Sequence, residues 1–245
     1  LNSGKEWFIV KGKDQPEAWG GKKLYDLYQK AYTPWEWQPK LKELAESLGL
    51  ILFSSPFDET AVDFLEAMSV PCYKIASYEA IHIPLLKKVA KTGKPVIMSI
   101  GFASLDEATL AVETLRNNGA SEIAVLHCIT AYSDKPRLEH SNLSTIADIK
   151  KRFDVIGGFS DNNAGIEIPI MAATVGGASV IEKHFILDRS KEGPDARFSI
   201  EPHELKKMVE IIRKVEKQGL EVLEEFISKE DRERAMGNVQ YGAVS

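Results

Sequence analysis

Residues 180–195 read VIEKHFILDRSKEGPD, and the way this stretch begins decides how the rest of the chain is organised. Ser179, Val180 and Ile181 are small or β-branched, as a strand covered on both faces requires, and the apolar run breaks off at Glu182 and His184. Burying a carboxylate and an imidazole is costly unless they are paired, hydrogen-bonded or bound to a metal. A buried strand that ends this way therefore marks a candidate site. The plain alternative is a solvated glutamate and a hydrogen-bonded histidine at a strand end.

Working outward, the same alternation of short apolar strand and amphipathic helix recurs. Strands are predicted at 51–53, 72–76, 95–98, 123–126, 155–159 and 179–181. Between them, Asp58 caps a helix that carries Ala61, Val62, Leu65 and Met68, and a helix with Leu85, Leu86 and Val89 ends at Gly93. Ser104 and Glu107 form a capping box ahead of Leu110, Ala111, Thr114 and Leu115. Two more helices are expected near 143–153 and 166–175, and the last opens at Glu201-Pro202 with Leu205, Met208, Val209, Ile212 and Val215. Such an order argues for parallel strands joined by right-handed crossovers, an α/β barrel body over residues 31–219. Before it, residues 1–30 read as a hairpin-like excursion with a short strand at 6–10. Thr33 and Pro34 then start a helix bearing Leu41, Leu44 and Leu48, which Pro39 kinks or delays. After it, residues 220–245 read as a helix or tether leaving the core, with Leu223, Phe226 and Ile227 as an apolar edge.

Composition narrows the class. The 245 residues are 44% hydrophobic, enough for one large core, and a net charge of −5 offers no basic face to nucleic acid or an anionic membrane. No apolar run reaches the ~18 residues of a membrane span, and no secretion signal opens the chain, so a cytoplasmic location is expected. Cys72 and Cys128 lie in apolar runs without metal-ligand spacing and are expected to be buried thiols.

Polar residues collect where the strands end: Ser54 and Ser55; Lys74, Ser77 and Glu79; Ser99 and Gly101; Thr130 and Tyr132; Ser160, Asp161 and Asn162; Glu182 and His184. In a parallel barrel those ends share one rim, which is where such proteins place their active sites. Lys74 with serine hydroxyls from neighbouring strands suits a phosphate. His184, with Glu182 or Asp161 near it, suits a divalent metal. His127 faces either core or rim.

The strings YKIASYE (73–79), GFSDN (158–162), EKHF (182–185) and GPD (193–195) resemble the sialic acid synthase family. AYTPWEW (31–37) and FSSPFDETAVDF (53–64) look most like its pseudaminic acid synthase branch. The resemblance implies a TIM-type barrel that joins phosphoenolpyruvate to an N-acetylated open-chain hexose with Mn²⁺ or Mg²⁺, giving a nine-carbon keto acid and phosphate. It implies that Lys74, Ser77, Ser99 and Ser160 contact phosphoenolpyruvate. Ser55, Thr130 and Tyr132 would line the substrate pocket, Glu79 and Glu182 would act near the reacting centre, and Asp195 would hold a sugar hydroxyl. His184 and Asn162 would be the metal ligands, Asn162 standing where the family carries a second histidine. It further implies a homodimer, and a barrel that lacks here the family's first two strands and its C-terminal antifreeze-like domain. Two rival functions are a catalytically inactive partial barrel that keeps phosphate or sugar binding, and a Schiff-base aldolase using Lys74.

Overall fold

The computed structural model describes residues 24–243 apart from 192 and 194. The chain divides into two compact units, residues 1–52 with 190–196 and residues 53–189 with 197–245. The strand expected at 6–10 lies outside the described residues. In the first unit, helix α1 (Leu24–Ala31) occupies the end of the expected hairpin-like excursion, followed by a 3₁₀ turn at Trp35–Trp37 and helix α2 (Gln38–Ser47). Thr33 caps nothing here. α2 begins with Pro39 in its first turn, where a missing N–H costs nothing, so the proline opens the helix and does not kink it. Gly49, at φ +71°, closes it. Leu41, Leu44 and Leu48 follow helical spacing, but no residue of α2 is buried.

The second unit carries helix α3 (Glu59–Ala67), strand β1 (Tyr73–Ile75), α4 (Ile83–Ala90), β2 (Val96–Ser99), α5 (Leu105–Asn117), β3 (Ile123–Ile129), α6 (Ser144–Phe153), β4 (Ile156–Asp161), α7 (Glu167–Thr174), β5 (Val180–Lys183), α8 (Pro202–Gln218) and α9 (Lys229–Met236). The strands pair in chain order β1-β2-β3-β4-β5, and every pairing is parallel. All seven residues of β3 are buried, as the middle strand of a sheet covered on both faces must be. One core gathers Val62, Leu65, Tyr73, Leu86, Met98 and Leu115, and a second gathers Ile146, Phe159, Met171, Met208, Ile211 and Val215. Each such side chain stabilises the fold by about 1.5–3 kcal/mol.

Helix starts follow the sequence signals. Asp58 Oδ1 accepts the Ala61 N–H at 2.9 Å. Ser104 and Glu107 complete their capping box, with the Ser104 N–H on Glu107 Oε2 at 2.8 Å. Several expectations need correction. Residues 51–53 form no strand; pairing there is a single bridge between Ser54 and Tyr73, carried by the Lys74 N–H on the Ser54 carbonyl at 3.2 Å. β3 and β4 run two or more residues further than expected, because each keeps pairing with its neighbour as far as Ile129 and Asp161. Leu110 and Val209 face solvent, since the apolar stripes run through Ala111, Val112 and Leu115 and through Met208, Ile211 and Val215. Cys72, just ahead of β1, is only half-buried. Beyond Gly219 a 3₁₀ segment (Leu220–Glu225) and α9 stay on the second core, where Leu223, Ile227 and Ala235 are buried, while Phe226 remains outside under the Lys214 ammonium. No helix among the described residues is long and apolar enough to cross a membrane.

His127 faces the core. It is 4% exposed, its Nε2 lies 2.8 Å from the Ser141 carbonyl, and it is therefore a neutral imidazole donating from Nε2. Burial pushes its pKa down to about 4 from an ordinary value of 6.5, opposed by the Ser141 bond. Between those values the unfolded chain takes up a proton that the folded chain refuses. Stability is accordingly intact above pH 6.5 and falls as pH drops toward 4, by roughly 3 kcal/mol from this residue. Urea melts from pH 7 to pH 4 should show this loss, and His127→Gln, which keeps a donor for Ser141, should flatten it.

Candidate active site

Parallel strands about 4.8 Å apart would place β1 and β5 roughly 19 Å from each other in a flat sheet. Instead Lys74 Nζ in β1 lies 3.4 Å from Glu182 Oε2 in β5. The sheet is therefore strongly curled, and side chains from its two ends meet across the concave face. Lys74 is 7% exposed and donates to Ser99 Oγ at 2.8 Å and to the Ile75 carbonyl at 2.8 Å. Glu182 Oε1 accepts from Ser160 Oγ at 2.7 Å. Burial pulls the Lys74 ammonium below the ordinary lysine range, and the Glu182 carboxylate works against that shift. Glu79, at the start of the 3₁₀ turn Glu79–Ile81, is pushed up by burial, with His82 and Lys74 opposing.

The ends of β1, β2 and β3 are drawn together by a close approach. Gly101 donates its N–H to Ser77 Oγ at 3.2 Å. A Cβ at Gly101 would collide with the Thr130 methyl and the Cys128 carbonyl, so only glycine fits between these loops. Cys128, 4% exposed, sits on the floor of the site, where Ser77, Ser160 and Lys74 all act on its thiol; burial pushes that thiol up. Nothing in its spacing marks Cys128 as a site residue. Only its parity with Lys74 and Ser160 across the paired strands reveals it.

A second group lies beyond β4 and β5. Asn162 Nδ2 donates to the Ile129 carbonyl at 2.8 Å and lies 3.6 Å from Cys128 Sγ, which turns its Oδ1 toward His184 Nε2, 3.2 Å away. The His184 ring stands edge-on to Tyr132 and Phe198 at 5.9 and 5.1 Å. The two acids expected near His184 have other partners. Glu182 is held by Lys74 and Ser160, and Asp161 pairs with Lys183 at 2.8 Å on the other face of the sheet. Burial pushes the Asp161 carboxyl up, with the Lys183 ammonium opposing.

The described residues of the second unit thus bring together Lys74, Ser77, Ser99, Thr130, Ser160, Asn162, Glu182 and His184, with Glu79 and Tyr132 at the edge. Ser55 follows the lone bridge outside β1, and Asp195 belongs to the first unit.

Two places compare as cation sites. Among the described residues, Glu201, His203 and Glu204 form the one cluster of three carboxylate or imidazole groups. Arg189 already occupies it, with ion pairs to Glu201 at 3.6 Å and Glu204 at 2.5 Å, and its carboxylates cap α8. His184 with Asn162 is the better fit: an imidazole nitrogen and an amide oxygen converge, leaving further positions of a hard or borderline cation to water and substrate oxygens.

Comparison with known proteins places these residues in context. The NeuB family profile matches residues 6–221. The pseudaminic acid synthase of Helicobacter pylori is 43% identical over 213 residues, covering 87% of this chain and 61% of that protein. Among solved structures, the spore coat polysaccharide biosynthesis protein SpsE of Bacillus subtilis superposes with a TM-score of 0.78 at 35% identity, over 95% of this chain and 63% of that one. The N-acetylneuraminic acid (sialic acid) synthetase of Leptospira borgpetersenii gives 0.74 at 34%, over 78% and 66%. The chain spans 61% of the length of the H. pylori relative, and a similar share of the others.

Proposed function

The chain belongs to the NeuB family, and from that premise we propose that it carries the phosphate- and cation-binding face of a nonulosonic acid synthase. The reaction joins phosphoenolpyruvate to an N-acetylated hexose in open-chain form, yields a nine-carbon keto acid and releases phosphate. The pseudaminic branch is favoured by the 40–43% identity to pseudaminic acid synthases. The observation that carries the reading is the meeting of Lys74, Ser99, Ser160 and Glu182 across the curled sheet. On this reading the five strands are part of a parallel barrel, and the protein works as a cytoplasmic homodimer.

Each residue then has a task. The Lys74 ammonium and the hydroxyls of Ser77, Ser99 and Ser160 hold the phosphate by charge-assisted hydrogen bonds. Glu182 keeps Lys74 charged despite its burial, and it stands with Glu79 where a proton must be taken from water that adds to the enol-derived carbon. Ser55, Thr130 and Tyr132 line the sugar side. His184 and Asn162 would hold Mn²⁺ or Mg²⁺, which would supply Lewis acidity toward the aldehyde oxygen.

Incubation of the chain with phosphoenolpyruvate, Mn²⁺ and a panel of N-acetylated hexoses tests the proposal through phosphate assay. Sugar-dependent release is expected. Phosphoenolpyruvate binding without release would point to an inactive binding barrel. A Schiff-base aldolase ranks second: burial favours the neutral amine that it needs, while the neighbouring Glu182 carboxylate opposes that shift. Borohydride trapping of a keto acid on Lys74 would put it first.

The amide at 162 allows a directed test of the cation site. Asn162→His should tighten Mn²⁺ binding about tenfold, or about 1.4 kcal/mol, because imidazole is the better ligand for a borderline metal. Titration calorimetry reads this directly; unchanged affinity would place the cation elsewhere.

A further inference from the structure

Three successive cross-strand rungs join the ends of β4 and β5. Ser160 meets Glu182, Asp161 meets Lys183, and Asn162 meets His184, each pair separated by the same register offset. The outer two rungs belong to the concave face. The middle rung, by the alternation of a strand, points the opposite way, into a place where Lys183 and Asp161 side chains are 4% and 0% exposed. Neither group can reach a ligand in the site. Their pairing is nevertheless elaborate: Asp161 Oδ2 takes Lys183 at 2.8 Å, Asp161 Oδ1 accepts the Asn163 N–H at 3.0 Å, and Lys183 also donates to the Asn163 carbonyl. Both backbone groups of the residue after Asn162 are thus clamped by one ion pair.

An ion pair so deeply buried gains little stability over a well-packed neutral pair, so fold stability alone does not account for it. We infer that Asp161 and Lys183 are positioning residues that fix the Asn162 amide and the His184 imidazole at ligand spacing. Asp161 is the residue before Asn162, Lys183 is the residue before His184, and their bond locks the register of the two strands one step before both ligands. The inference rests on the reading of Asn162 and His184 as the cation site.

The double variant Asp161→Asn with Lys183→Met removes both charges while the asparagine keeps an acceptor for Asn163. Mn²⁺ alone is titrated into the whole chain, with water-proton relaxation as readout, and phosphoenolpyruvate binding is measured separately without metal. The expected result is 10–100-fold weaker Mn²⁺ binding with phosphoenolpyruvate affinity within about twofold of the parent. Asp161→Glu keeps both charges but moves the carboxylate by one methylene, so it should remain folded and also weaken Mn²⁺ binding. In metal-free protein, the imidazole ¹H–¹⁵N signals of His184 should shift in both variants. Unaltered Mn²⁺ affinity and unmoved His184 signals in Asp161→Glu overturn the inference alone. A parent chain that binds no Mn²⁺ overturns the cation-site reading and the inference with it.

Discussion

Replacing Lys74 with methionine is expected to lower sugar-dependent phosphate release about 10³-fold while leaving the chain folded. The ammonium is the one cation that the described structure places among the serines of the concave face, joined to Ser99 and facing Glu182. A fixed donor aimed at developing negative charge lowers the barrier by about 3–4 kcal/mol, and methionine supplies neither charge nor donor. Stability should change by no more than about 1 kcal/mol. Removing a buried ammonium ends its desolvation penalty, and Glu182, whose side chain is 41% exposed and bonded to Ser160, keeps access to water. Single-turnover assays with thermal melts separate the two effects. A loss of activity matched by a loss of folding would assign Lys74 to the core instead of the chemistry.

Lys183→Met should behave the other way and destabilise the protein by about 3–5 kcal/mol. It strands the Asp161 carboxylate, fully buried, with the neutral donors of Asn163 as partners and no counter-charge. Against the 5–15 kcal/mol that holds a typical domain together, that is a large share, and a melting temperature lower by about 10 °C is expected for a domain of this size. The sign of its pH dependence follows from the raised pKa of Asp161. A folded carboxyl that titrates above its unfolded value binds extra protons in the window between the two, so stability falls as pH rises through it. The variant should therefore lose most at neutral pH and least near pH 4. A melting temperature unchanged at pH 7 would mean that water or backbone movement relieves the stranded charge.

Much of this was legible in the sequence because the fold announces itself through abrupt transitions. Val180-Ile181 ending at Glu182, and Tyr73-Ile75 enclosing Lys74, placed polar groups at strand ends, and the curled parallel sheet gathers those groups on one face. Strand lengths were less readable. Cys128 looks like a core residue by type, and only the continued pairing with Ser160 draws it into the site floor, while Ile129 beside it turns into the second core. The pairing of Asp161 was misread for a related reason. Standing at a strand end, like His184, suggests a ligand, whereas strand alternation sends Asp161 to the opposite face, where a lysine in a buried strand demands a counter-charge. The strand expected at 51–53 is not formed because apolar composition shows that a segment can pair, not that it does; pairing there is confined to the bridge from Ser54 to Tyr73.

The proposed phosphate site depends on the two ends of the sheet closing around one anion. A crystal structure of the chain with phosphoenolpyruvate and Mn²⁺ tests this most directly. It should show the phosphate within about 3 Å of Lys74 Nζ and of the Ser99 and Ser160 hydroxyls, with the Glu182 carboxylate alongside. Phosphoenolpyruvate bound elsewhere, or Lys74 and Glu182 standing far apart on an open sheet, would contradict it.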